Sequence, residues 1–246
     1  MSVEVMSFRY TYRGKPAGTQ VIKTELKGRH TQLEGKAQFQ GALGNATVVQ
    51  RSRCSAERFF SLRYLEETQE RNESRSFDVT FDPQTGLVSA VKGQKDQASV
   101  PYLVSYRDPL SLLHELRTIG ERAEPVLIPL LGKTVSVQYG GEVELDGPFG
   151  PRRARAYVIH PGQSVVYVDN QAPHHILKLT QRLADGHLDA LLIKVASEAA
   201  LEPFGEAPVR GGRRRGGGGG GGNGGKAQDK GEQRGPRRRP RRRRRT

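Results

Sequence analysis

The chain has 246 residues, enough for one sizeable domain or two small ones with a real core. Its single cysteine, Cys54, excludes an intrachain disulfide and any zinc site built from two or more thiolates. The formal charge of +14 is unevenly placed: residues 205–246 hold 15 Lys+Arg against 3 Asp+Glu, so of the totals of 40 and 26 there remain 25 against 23 for residues 1–204. The body is therefore near neutral, and the C-terminal segment carries the basicity.

The start, MSVEVMSFRYTYRGKPAG, shows no basic stretch followed by an apolar one, and no run approaches the roughly 18 apolar residues of a membrane span. The expectation is a soluble, cytoplasmic protein; a misassigned start would hide an export signal and place it in the envelope. In FRYTY, Phe8, Tyr10 and Tyr12 alternate with Arg9, Thr11 and Arg13, which predicts a strand. RGKPAG supplies a turn before TQVIKTEL, and TQLEGKAQFQ repeats the alternation through Leu33, Gly35, Ala37 and Phe39. CSAERFFSLRYLEETQER fits a helix loosely, but is read as strand. SRSFDVTFD and GLVSAV flank the turn residues Asp82-Pro83-Gln84-Thr85-Gly86.

RDPLSLLHELRTIG is the one clear helix. Asp108 suits the N-cap, Pro109 the first helical position and Gly120 the end. Leu110, Leu112, Leu113, Leu116 and Ile119 form an apolar stripe broad enough to lie on a sheet, with His114 and Glu115 near its edge. Beyond it, KTVSVQY, GEVEL, RRARAYVIH, QSVVYVD, HHILKLTQRL and LDALLIKVA are short candidate strands bounded by Gly, Pro, Asp or Asn. Ten or so strands at this spacing predict a mainly β fold: an antiparallel barrel-like or sandwich domain over residues 1–202, with one short packed helix. Residues 203–246 read as a disordered Gly/Arg-rich tail, since nothing after Val209 can build a core.

YRDPLSLLHELR resembles the Asp-Pro-Leu-Ser…Leu-Arg signature of an uncharacterised family of bacterial β-rich proteins, a domain of unknown function. YTYRGKPAGT resembles the family's opening hairpin, FDVTFDPQTGLV precedes the helix in the same order, and YVDNQAPHHILKLT resembles the start of a later strand. The likeness spans roughly residues 8–196 and none of the tail. It implies an antiparallel barrel or barrel-like domain, mostly exported to the envelope, and it brings no catalytic residues. The absence of a visible signal and the Gly/Arg tail depart from that pattern.

The body offers little chemistry. His160, Asp169 and one of His174 or His175 fall on neighbouring candidate strands, but adjacent histidines on a strand point to opposite faces and zinc needs three or four convergent ligands. Surface and sheet-edge histidines are the better reading, so no metal is expected. LLGKTV lacks the leading glycine of a phosphate-binding loop and runs into a strand. Ser164 lacks the flanks of a nucleophile elbow. Arg51, Arg53 and Arg58 would lower the pKa of Cys54 if they surround it; a packed, idle thiol is the favoured alternative. No enzymatic activity and no cofactor are expected.

Two surfaces remain as candidate nucleic-acid contacts. On the sheet, Arg9, Tyr10, Tyr12 and Arg13 would make a stacking platform with phosphate-reaching edges, unless the aromatics are the buried face. In the tail, Arg210, Arg213, Arg214, Arg215, Arg234, Arg237, Arg238, Arg239, Arg241, Arg242, Arg243, Arg244 and Arg245 join Arg-Gly-Gly elements to a terminal arginine cluster. Arginine forks phosphate and stacks on bases, and glycine lets the backbone follow the strand. The expectation is a non-enzymatic protein whose tail binds DNA or RNA with little sequence specificity, while the β domain takes a protein partner or a second stretch of nucleic acid. The alternative is an envelope-type β-domain binding an apolar ligand or a protein, its tail on an anionic surface. Membrane contact is disfavoured, since no apolar anchor or lipidation motif accompanies the charge.

Overall fold

A computed structural model describes residues 3–93, 96–198, 201 and 204. The strands are β1 (Val3–Tyr12), β2 (Lys15–Lys27), β3 (His30–Phe39), β4 (Ala46–Ser55), β5 (Ser61–Glu70), β6 (Glu73–Asp82), β7 (Leu87–Lys92) and β8 (Asp96–Pro101). After α1 (Pro109–Leu116) come β9 (Val126–Leu130), β10 (Lys133–Leu145), β11 (Arg152–His160), β12 (Ser164–Asp169), β13 (Ile176–Leu183) and β14 (Gly186–Glu198). All fourteen strands form one sheet in the order β8-β7-β6-β5-β4-β3-β2-β1-β14-β13-β12-β11-β10-β9.

Every pairing is antiparallel and, with one exception, joins strands consecutive in sequence. The exception is β1 with β14, in register from Val3 opposite Glu198 to Tyr12 opposite Leu188, which brings the first and last strands together. Two meanders are thereby fused at the middle, and β8 and β9 are left as the edges. The segment between them lies across the gap. Ser61 N donates to Tyr106 O at 2.8 Å, Arg107 N to Pro129 O at 2.8 Å, and Leu131 N to Arg107 O at 3.0 Å. Residues 106–107 thus link the start of β5 to β9, and the sheet curls into a barrel-like form.

The alternation in the sequence becomes the inward face. Phe8, Tyr10 and Tyr12 of β1 join Ile22 of β2, Val135 and Val137 of β10, Val166 and Val168 of β12, and Leu188, Ala190 and Leu192 of β14 in one core. Leu112 and Leu116 of α1 belong to the same cluster, whereas Leu110 packs with Leu33 of β3 and Cys54 of β4. The helix therefore lies inside the curl. Gly35 of β3 makes room for it, since a Cβ there would stand 3.1 Å from Leu110 Cδ2. Beyond β5 the sheet carries a separate small core of Val79, Phe81 and Val88, with Tyr102 and Tyr106 against it.

Three strands go beyond the sequence reading. β4 mixes polar and apolar residues on both faces, β8 is exposed at all six positions, and β9 contains Pro129. Proline is tolerable there because β9 is an edge. Two expected strands, at 133–139 and 141–145, are one: β10 continues through an irregularity between Tyr139 and Glu142. Of the ambiguous central stretch, residues 61–70 are strand β5, as expected, while 56–60 form a turn. No helix among the described residues is long and apolar enough to cross a membrane.

Gly18 is the tightest point of the sheet. Its φ is +138°, and a Cβ would sit 2.0 Å from Gln38 O on the neighbouring strand. Gly18→Ala is expected to cost about 3 kcal/mol or more, because backbone must move as well as a strained dihedral be held. Gly35→Ala should cost about 1 kcal/mol, since only a leucine methyl has to yield. Denaturant unfolding of the two variants checks the contrast.

Candidate functional site

The helix is fixed at both ends by hydrogen-bonded, largely buried polar groups. At its start, Asp108 is fully buried. One carboxylate oxygen accepts from Leu110 N at 2.9 Å and Ser111 N at 3.0 Å. The other accepts from Ser52 Oγ on β4 and Ser61 Oγ on β5, each at 2.6 Å. Ser111 Oγ accepts in return from Asp108 N at 2.9 Å, which completes a capping box. Burial pushes the Asp108 carboxyl up, against these hydrogen bonds, which pull it down. One residue earlier, Arg107 makes a two-pronged ion pair with Glu115 at 2.9 and 3.0 Å.

At the other end, Arg117 is 7% exposed and gives its guanidinium to three partners. It reaches Glu4 of β1 at 2.6 and 3.0 Å, Pro173 O at 2.9 Å and His174 O at 3.0 Å. His175 Nε2 lies 3.2 Å from the same Glu4 carboxylate. Burial raises the Glu4 carboxyl, but hydrogen bonds from His175 and Arg117 outweigh it and hold the group at about 2. His114, one turn back, is pushed down to about 4 by burial, with the Arg117 charge adding to the effect, so its ring is neutral at pH 7. Its Nδ1 is buried without a hydrogen-bond partner. Glu4, His114, Arg117 and His175 line a cleft of about 750 Å³, with Leu26 and Ser197 on its rim.

This cluster has the chemistry of a latch. Both Glu4 oxygens meet the Arg117 fork, and the helix end is thereby tied to β1 and to the turn before β13. Sequence reading placed His114 and Glu115 at a helix edge but did not foresee Glu4, Arg117 and His175 together. The signal that could have found them is the DPLSLLHELR stretch itself, whose terminal Asp108 and Arg117 are the two anchors.

The sheet residues proposed as a stacking platform lie otherwise. Tyr10 and Tyr12 are 7% and 6% exposed and line the core, with Tyr10 stacked on Phe39 at 5.2 Å between ring centroids. Their faces are not available to bases, because this is the buried face of β1. Arg9 points outward. Arg13, at the β1–β2 turn, pairs with Asp185 at 2.6 Å, and Asp185 also accepts from the Tyr12 hydroxyl. Cys54 is a packed thiol: it is fully buried, its Sγ faces Thr31 O at 3.7 Å, and burial pushes its pKa up. His174 and His175 diverge, His174 Nδ1 meeting Asp169 O at 3.0 Å. Among the described residues no three His, Cys, Asp or Glu side chains gather as metal ligands.

The arginines from Arg210 to Arg245 fall outside the described residues. The approach to them is described at two points. Leu201 N donates to Glu25 Oε2 at 3.0 Å while Lys27 Nζ donates to Leu201 O at 2.9 Å. Phe204 N donates to Gln32 Oε1 at 3.3 Å, and the Arg63 guanidinium sits 4.7 Å from the Phe204 ring centroid. The chain leaving β14 is thus tied to β2, β3 and β5.

Comparison with known proteins agrees with this architecture. The model of a family described as "Protein of unknown function (DUF3108)" matches residues 7–193. The chain belongs to this family. The match takes in Asp108, Arg117 and His175, and excludes Glu4 and the Gly/Arg-rich segment. None of the curated proteins matches the sequence. Among solved structures, the crystal structure of a β-barrel-like protein of the domain of unknown function DUF1849 from Brucella abortus aligns with a TM-score of 0.54. It is 10% identical, over 81% of this chain and 99% of that one, a likeness of fold.

Arg117→Ala is expected to destabilise the domain by about 3–5 kcal/mol at neutral pH, because it removes the guanidinium that meets both Glu4 oxygens in a largely buried pair. Glu4 has a folded-state pKa below its ordinary 4.5, so the stability it adds is present above that value and lost as pH falls from 4.5 towards about 2. The difference in unfolding free energy between wild type and Glu4→Gln should therefore narrow across that window. Urea unfolding at stepped pH measures it.

Proposed function

We propose that the protein is a non-enzymatic nucleic-acid-binding protein in which the Gly/Arg-rich segment makes the principal contact. The observation that carries this reading is the partition of charge: 15 Lys+Arg against 3 Asp+Glu in residues 205–246, beside a near-neutral body. The bias is to arginine, 13 of those 15 cations. Guanidinium forks phosphate and stacks on bases, where lysine acts as a point charge. Eight of the arginines fall within residues 237–245, and the Arg-Gly-Gly elements Arg210-Gly211-Gly212 and Arg215-Gly216-Gly217 precede them. No arrangement of base-reading groups is specified, so binding follows phosphate and stacking more than sequence.

The β domain acts in this reading as the anchor of that segment. Its interior is filled by aromatic and aliphatic side chains and by α1, which weighs against an apolar ligand held inside the barrel. The Glu4 latch commits its carboxylate to the Arg117 guanidinium and the His175 ring, which weighs against a free catalytic base there.

Fluorescence anisotropy of single-stranded DNA, duplex DNA and RNA at several salt concentrations tests the reading. The full chain is compared with a full-length variant in which Arg237–Arg239 and Arg241–Arg245 are glutamine. The wild type should bind with a steep salt dependence, approaching one counterion released per phosphate contacted. The variant should bind at least tenfold more weakly with a shallower slope. Equal binding by both, or none by the wild type at physiological salt, refutes the reading. Selective binding to anionic vesicles over nucleic acid would give the segment a membrane role instead.

A further inference from the structure

A second cleft, of about 420 Å³, opens beside the C-terminal half of α1, lined there by Glu115, Thr118 and Ile119. It is bounded by the β4–β5 turn and the segments flanking the helix. Three features distinguish it. Phe59, in the turn, holds φ at +59°, a left-handed conformation that a bulky side chain adopts only when its surroundings require it. The turn is closed by hydrogen bonds from Phe59 N to Ser55 O at 3.0 Å and from Ser55 N to Phe60 O at 2.9 Å, and the Phe59 ring stands edge-on to His114 at 5.5 Å. The ring is therefore presented at the cleft by a defined backbone.

The second feature is charge. Arg58, from the turn, and Arg122, after the helix, line the same cleft together with Glu57; all three are exposed, and among the described residues neither arginine is held in an ion pair. The third is a fixed wall: Arg107 and Glu115 also line the cleft, and their two-pronged pair cancels their charges and holds both side chains still. Two uncommitted guanidinium groups and a presented aromatic ring, in a space of this size, are complementary to a planar ring that bears a phosphate.

We propose that this cleft binds one nucleotide unit, with the phosphate between Arg58 and Arg122 and the base against Phe59. The choice of ligand rests on the nucleic-acid reading and extends it from the Gly/Arg segment to the folded domain. The same chemistry is offered by a free mononucleotide and by the 5′-phosphorylated end of a strand.

Calorimetric titration of the full chain with adenosine 5′-monophosphate, inorganic phosphate and a 5′-phosphorylated oligothymidylate tests it. Arg58→Ala combined with Arg122→Ala should weaken mononucleotide binding at least tenfold, and so should Phe59→Gly. Glycine adopts the left-handed conformation without steric cost, so Phe59→Gly keeps the turn, and its thermal transition should stay within a few degrees of wild type. Inorganic phosphate alone should bind at least tenfold more weakly than the mononucleotide. The variant with eight terminal glutamines should bind the mononucleotide as the wild type does. An oligonucleotide that displaces the mononucleotide from that variant places a strand end in the cleft; one that does not identifies the free nucleotide as the ligand. The proposal is overturned if the wild type does not bind the mononucleotide, if neither set of cleft substitutions weakens it, or if only the glutamine variant loses it. Failure of the tail reading is separate, since it appears as unaltered strand binding by the glutamine variant.

Discussion

The Asp108 carboxylate is the point on which the rest of the domain hangs. A carboxylate with no exposure is tolerable only when its oxygens are satisfied by hydrogen bonds, and here each oxygen has two donors. Those donors come from three places: the first turn of α1, β4 and β5. The same four residues of chain, Ser105–Asp108, also carry the backbone bonds from Tyr106 to β5 and from Arg107 to β9. Loss of the carboxylate would strand the buried Ser52 hydroxyl and two helix N–H groups at once, each costing about 1–3 kcal/mol if left unpaired, while Ser61 Oγ would keep only Ser111 Oγ at 3.2 Å. The position of the helix start against β4 and β5, and the course of the segment that bridges β5 and β9, are thus set in one local arrangement.

A short helix can serve such a purpose because it is braced at both ends. Eight residues rise about 12 Å, and over that span α1 passes from the serines of β4 and β5 to Glu4 on β1. An isolated helix of this length is not stable in water. Its hydrophobic contacts with Leu33, Cys54 and the main core, together with the two polar anchors, supply what propensity cannot. One consequence is that the interior is filled. Open surface near the helix is offered by the cleft at Glu4, His114 and Arg117 and the cleft at Phe59 and Arg107.

The parts legible in the sequence were those in which one local rule dominates. Period-two alternation gave β1, β3 and β6, and the Asp108-Pro109 pair gave the helix start, because side-chain direction and capping depend only on near neighbours. β8 escaped because an edge strand exposed at every position has no apolar face to leave a pattern. β9 escaped because Pro129 argues against a strand unless the strand is known to be an edge, which is a fact of topology. The pairing of β1 with β14 and the meeting of Glu4, Arg117 and His175 span more than a hundred residues, and nothing local encodes such distances. Tyr10 and Tyr12 show the limit most plainly. Alternation places them on one face of β1, but only the packing of β10, β12 and β14 around them decides that the face is inward.

The arrangement also constrains how a basic segment and a neutral domain can work together. At physiological ionic strength the screening length is about 8 Å, so in the proposed reading the arginines would act on the phosphates they touch rather than draw a partner to the whole molecule. A domain with 25 basic and 23 acidic residues adds little to the long-range field. Its contribution to binding then has to come by contact, from side chains placed accurately enough to matter at short range. In the proposed reading such placement is offered at the turn bearing Phe59, which is closed by the Phe59 N to Ser55 O and Ser55 N to Phe60 O hydrogen bonds. In the proposed reading the Gly/Arg-rich segment supplies the charge and the domain supplies groups of fixed geometry.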